Sequence, residues 1–200
     1  MVFEQGYIYH IYNQGNNRQK IFFNRENYLF FLRKIRTYVL PYGDILAYCL
    51  MPNHFHLMVL VNETELPAAS LGVSSRHAET YKNAETKRTF NASIGILLMG
   101  YTKAVNKEMN RTGKLFREAT KAECVNCQKG KTPSFINNNG GITQINIHIP
   151  EKQYPQVCFN YIHQNPVKAN LVKKQTDWEF SSAKDYAGLR NGSLINKEIA

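Results

Sequence analysis

The stretch Met51-Pro52-Asn53-His54-Phe55-His56-Leu57-Met58-Val59-Leu60-Val61 decides how the rest of the chain is read. Two histidines one residue apart lead into an apolar run rich in β-branched and long aliphatic side chains, the pattern of a buried strand. Strand side chains alternate between faces, so His54 and His56 point one way and Phe55, Leu57, Val59 and Val61 the other. The second set suits a hydrophobic core. The first set is half of a metal site if both imidazoles are neutral. It reads equally as two polar residues on the wet side of a sheet.

Upstream, residues 45–51 read as a strand and Pro52-Asn53 as the turn of a hairpin. Residues 7–12, Tyr-Ile-Tyr-His-Ile-Tyr, form a first strand that carries His10. A polar loop with Gly15, Arg18 and Lys20 follows. Asn24 suits the cap of a helix over 25–39, with apolar positions at Tyr28, Phe31, Leu32, Ile35 and Val39. Downstream, 62–93 has no clear period and reads as a long basic loop. Ser93 is the expected cap of a second helix that ends at Thr112-Gly113, and 114–125 reads as a ragged basic strand. The order strand, helix, strand, strand, helix, strand predicts an α+β fold: a ferredoxin-like split βαβ antiparallel sheet with both helices on one face.

Residues 126–152 read as an insertion with a hairpin at Asn137-Asn138-Asn139-Gly140-Gly141. A third helix is expected over 155–165, stopped by Pro166, and a short one over 182–189. The whole is read as a single domain over 1–200: a core of about 5–125, the insertion, then a tyrosine helix and tail over 153–200.

The 200 residues carry 25 Lys and Arg against 15 Asp and Glu, a formal charge of +10. That excess favours a polyanionic partner, nucleic acid first, and 12 Tyr and 11 Phe offer rings on which bases can stack. No apolar run is long enough to span a membrane and no secretory signal is visible, so a cytoplasmic protein is expected. Cys124-x-x-Cys127 is half of a zinc pattern without a second half. Free thiols are the expectation for it and for Cys49 and Cys158.

Tyr161 and Asn165 lie one turn apart on the third helix and share a face. A phenol ionises near pH ~10, so it becomes a nucleophile only beside a cation or base. An amide oxygen is an acceptable third ligand for a hard divalent ion, and His54, His56 and Asn165 together would leave positions open for water and a phosphate oxygen. Of the tyrosines compared, only Tyr161 combines a helix with a ligand type at this offset. A core tyrosine on the apolar stripe remains the plain alternative.

Met51-Pro-Asn-His54-Phe-His56 with its strand, and Tyr161-Ile-His-Gln-Asn165-Pro-Val-Lys-Ala-Asn-Leu-Val, resemble the two signatures of the single-tyrosine HUH transposases, and most of all the REP-associated tyrosine transposases. Further echoes are Tyr9 through Arg18, Gly113-Lys-Leu-Phe116 and Asp177-Trp178-Glu-Phe-Ser-Ser182, so the resemblance covers nearly the whole chain. Residues 62–93 and 126–151 carry no family motif. The resemblance implies a transposase-like endonuclease and strand transferase for single-stranded DNA at hairpin-associated sites. It implies His54, His56 and Asn165 as ligands of Mg²⁺ or Mn²⁺, and Tyr161 as the nucleophile that forms a 5′-phosphotyrosine. Family members often use a glutamine as third ligand, but Gln164 points roughly 100° from the Tyr161 face, which favours Asn165. Arg18, Lys20, Lys114 and Arg117 are the expected DNA contacts. His10 is expected near the metal, in a structural role before a functional one. Relatives include monomers and homodimers with exchanged tyrosine helices. Two competing functions remain: a non-catalytic, domesticated binder of DNA hairpins, and a metallohydrolase that uses the histidines alone.

Overall fold

A computed structural model of the chain describes residues 1–67, 87–127, 138–139, 142–143 and 153–200. Strand β1 (Ile8–Gln14) leads through a short 3-10 turn into helix α1 (Arg25–Tyr38). The Asn24 side chain caps α1 by accepting the Asn27 N–H at 2.9 Å, as its position predicts. β2 (Gly43–Met51) and β3 (His54–Val61) form the expected hairpin around Pro52-Asn53, with Met51 opposite His54.

β4 (Glu65–Pro67) and β5 (Lys87–Thr89) pair as an antiparallel ribbon. α2 (Phe90–Glu108) follows. Its cap is Thr89, which accepts the Ala92 N–H, not Ser93. Ser93 is fully buried and donates instead to the Tyr38 carbonyl at 2.8 Å, joining α2 to the end of α1. The expected strand over 114–125 is cut to β6 (Lys121–Cys124). Before it, the chain is held to the 15–19 loop by Asn16 N–H to Leu115 O and an isolated bridge of Gly15 with Phe116. Gly15 is required there, because a Cβ would collide with the Gln19 carbonyl.

The main sheet is four-stranded and antiparallel, in the order β2-β3-β1-β6. One face packs on α1 and α2 through Ile11, Leu50, Phe55, Leu57, Val59, Phe31, Ile35, Leu97 and Tyr101. The opposite face carries Ala47, Cys49, Met51 and Met58 and receives Cys158 and Ile162 of α3 (Tyr154–Lys168). α1 and α2 thus share one face, as expected of the two core helices, and α3 covers the other.

α3 runs through Pro166 where a stop was expected. Pro166 is itself buried, and Ala169 N–H and Leu171 N–H close the last turn onto the Asn165 and Pro166 carbonyls. Burial of one side of the helix outweighs the local steric preference of the residue before proline.

α4 (Ala183–Tyr186) is shorter than expected. Just before it the chain lies along the free edge of β2: Leu50 N–H donates to Phe180 O, Ser182 N–H to Tyr48 O, and Trp178 Nε1–H to Leu50 O. This closes an edge that would otherwise expose unpaired backbone.

In the insertion, β7 (Asn138–Asn139) and β8 (Ile142–Thr143) pair antiparallel across the predicted turn. The rest of the insertion after residue 127, and most of the loop expected over 62–93, lie outside the described residues. Cys124 and Cys127 are joined as a disulfide, where free thiols were expected, their Cα atoms 5.7 Å apart and within the span a bridge allows. Cys49 and Cys158 are free and buried. Among the described residues no helix is long and apolar enough to cross a membrane.

Candidate functional site

The face turned away from α1 and α2 gathers the polar groups, and strand register explains how. Gln14 lies opposite His54, Tyr12 opposite His56 and His10 opposite Met58. On the other side of β1, Tyr12 faces Lys121 and His10 faces Glu123. Direct antiparallel partners share a face, so three strands present His54, His56, His10, Tyr12, Lys121 and Glu123 together. α3 lays Tyr161 across them. Its ring centroid lies 5.5 Å from that of His56 and 5.9 Å from that of His10, both edge to face. Tyr12, Asn13, Gln14, His54, His56, Arg117, Ala119, Lys121 and Tyr161 line a cavity of about 280 Å³.

The Asn165 side chain acts on both His54 and Tyr161, opposing the effect of burial on each. Its amide nitrogen also donates to the Tyr161 carbonyl at 2.8 Å, one turn back. Gln164 is exposed and donates to Gln175 Oε1, away from the cavity. His54 Nδ1 lies 2.6 Å from Asn53 Oδ1. An amide oxygen only accepts, so Nδ1 carries the proton and Nε2 keeps the lone pair. His56 Nδ1 lies 2.9 Å from His10 Nε2, and His56 Nε2 is buried without a hydrogen-bond partner among the described residues.

Burial favours neutral rings throughout. It holds His56 well below the usual imidazole range, with the neighbouring His10 and His54 adding to the effect. It lowers His54, against the effect of Asn165, and lowers His10 to about 4, against the charge of Glu123. Burial pushes the Tyr161 phenol up, and Asn165 works against that. The Lys168 ammonium sits over the Tyr161 ring, 5.4 Å from its centroid, and favours negative charge there.

The structure thus brings His54, His56, Asn165, Tyr161 and Arg117 together. Arg18, Lys20 and Lys114 are exposed and do not line the cavity. They sit on the two loops joined beside it, and Lys114 is 3.5 Å from Glu118. Sequence reading missed Lys121, Tyr12, Glu123 and the role of Lys168. Lys168 stands seven residues, two helical turns, beyond Tyr161, a spacing that could have found it. Lys121 and Glu123 needed the register of β6. Among the described residues no group of three or more His, Cys, Asp or Glu is gathered for a metal ion.

No family model matches the sequence, and no curated protein does. A solved structure of "the REP associates tyrosine transposase bound to a REP hairpin" is similar in fold. Its TM-score is 0.51 at 16% identity, covering 98% of this chain and 94% of that one. The likeness extends over nearly the whole chain and is a likeness of fold.

Proposed function

We propose that the chain is a metal-dependent single-stranded DNA endonuclease and strand transferase, transposase-like in mechanism, acting at hairpin-associated sites. One observation carries the reading: the Tyr161 phenol lies against His56, in one cavity with His54, Arg117 and Lys121, all from a single chain. The neighbour's hairpin-bound state supports the choice of DNA. The strand order β2-β3-β1-β6, with one helix between β1 and β2 and another between β3 and β6, supports a ferredoxin-like reading of the core.

The donors fit a hard divalent ion. His54 and His56 are held neutral, His56 has a buried nitrogen without a partner, and Asn165 offers an amide oxygen beside them. Mg²⁺ or Mn²⁺ there would polarise a phosphate oxygen. Two imidazoles and one amide make a weak set, which suits an ion held jointly with the DNA.

The chain's own groups do the rest. Arg117, Lys121 and Lys168 supply positive charge for the phosphate. Tyr161 Oη attacks phosphorus, the bond from phosphorus to the 3′ oxygen breaks, and the 3′-OH leaves with a proton. A phosphodiester replaces a phosphodiester, so another 3′-OH can reverse the step. A buried phenol is a reluctant anion, and Lys168 over its ring offsets part of that cost. Tyr161 lies beside its own chain's histidines, so the reaction needs no homodimer.

The test is incubation of the protein with hairpin-bearing single-stranded DNA and Mn²⁺. The expected result is a denaturation-resistant adduct that disappears in Tyr161→Phe. Tight binding with no adduct under any metal condition would favour the non-catalytic hairpin binder. Cleavage that persists in Tyr161→Phe would favour hydrolysis through the histidines.

A further inference from the structure

We infer that His10 is a positioning residue for His56: its Nε2 accepts the His56 Nδ1 proton and so confines the His56 lone pair to Nε2, where a metal ion can use it. The inference rests on the metal-dependent reading above and adds a residue to it.

A neutral imidazole has one N–H and one lone pair, and what one nitrogen bonds decides what the other offers. Asn53 settles this for His54, since its Oδ1 can only accept. His56 has no such neighbour. Its Nδ1 faces the Nε2 of another histidine at 2.9 Å, and two arrangements are open. If His10 donates, His56 carries its proton on Nε2, a buried donor with no acceptor among the described residues. In that arrangement the nitrogen could not bind a cation. If His10 accepts, its own proton moves to Nδ1, and His56 Nε2 carries a lone pair.

Glu123 favours the second arrangement. It lies opposite His10 in register on β6, and its charge acts on the His10 ring. A carboxylate stabilises a neighbouring N–H dipole pointing its way. Glu123 is itself held by the Tyr12 hydroxyl, which donates to Oε1 at 2.7 Å, and Tyr12 stacks on His10 at 4.7 Å between centroids. His10 is 1% exposed, so it reaches DNA only through His56. The arrangement runs from Glu123 on β6 through His10 on β1 to His56 on β3, laid diagonally across three strands.

The first test needs no variant. Long-range ¹H–¹⁵N correlation spectra of the full chain, labelled at histidine and free of metal, report which nitrogen is protonated. His56 is expected protonated at Nδ1; protonation at Nε2 overturns the inference. The second test titrates Mn²⁺ against the full-length protein and reads free ion by electron paramagnetic resonance. His10→Leu is expected to weaken binding by about 10- to 100-fold, the usual effect of losing an outer-shell partner. His10→Gln, whose amide oxygen accepts the same proton, is expected to recover most of it. If His10→Leu binds like the wild type while His56→Ala does not, the positioning role fails and the metal site stands. If wild type and His56→Ala bind alike, the metal reading fails and takes this inference with it. Should His10→Leu not fold, the spectra of the wild type still decide.

Discussion

Asp185 is the clearest case of a single residue whose chemistry organises its surroundings. Its side chain is 1% exposed, and Arg190 donates to both of its oxygens at 2.9 and 2.6 Å. Arg190 also reaches the Ser181 and Glu179 carbonyls and the Tyr48 hydroxyl, so one guanidinium ties the tail to β2. Burial pushes the Asp185 carboxyl up, but hydrogen bonds from Arg190 and the Gly192 N–H, with the charges of Arg190 and Lys197, hold it below the usual range. A depressed carboxylate contributes stability that is complete above its unfolded pKa of about 4 and is lost as pH falls through the lower folded value. Arg190→Ala should therefore cost on the order of 3 kcal/mol at pH 7, because it strands a buried charge. The penalty should narrow towards pH 3. Urea unfolding at both pH values checks this, and an equal loss at the two would mean that only packing was removed. None of this was legible beforehand, since Asp185 and Arg190 show no pattern in sequence. Tyr161 and the two histidines were legible, because alternation and one-turn spacing are local properties.

Elements divide in the same way. α1 begins where Asn24 predicts, because capping is settled within four residues. α2 begins at Thr89, ahead of the expected Ser93, because Ser93 is taken up by the Tyr38 carbonyl of another element. Thr89→Ala should cost about 1 kcal/mol as a lost cap. Ser93→Ala should leave helix content intact but destabilise by a similar amount through the lost bond to the half-buried Tyr38 carbonyl. Circular dichroism with chemical denaturation separates the two, and a loss of helix in Ser93→Ala alone would reverse the assignment. α3 outruns Pro166 because its buried side packs on β2 and β3, a term that no local rule contains. β6 is short because Leu115 and Phe116 pair with Asn16 and Gly15, beyond the end of β1, and only Arg117 reaches the strand itself, at Gln14.

For the molecule as a whole, the charge of +10 has a place as well as a size. Arg117 and Lys121 line the cavity, Lys168 covers Tyr161, and Arg18, Lys20 and Lys114 lie on the adjoining loops. Each phosphate neutralised on a single strand contributes about 0.7 to the slope of log affinity against log salt. Arg117→Ala should weaken binding of hairpin-bearing single-stranded DNA and reduce that slope by about 0.7. Lys184→Ala, at a residue that does not line the cavity, should leave the slope unchanged. Fluorescence anisotropy across a salt series measures both, and equal slopes for wild type and Arg117→Ala would remove that arginine from the interface.

Periodicity, capping and turn chemistry act over a few residues, and they were enough to find the histidine strand, its hairpin, the order of the core elements and the helix bearing Tyr161 and Asn165. They could not say that helices cover both faces of the sheet, that 178–182 seals the edge of β2, or that His10 meets His56 nitrogen to nitrogen. Those facts depend on strand register and on packing between residues far apart in the chain. A one-residue slip in register would send His10 and Glu123 to the opposite face, and no short window of sequence contains the contacts that prevent it.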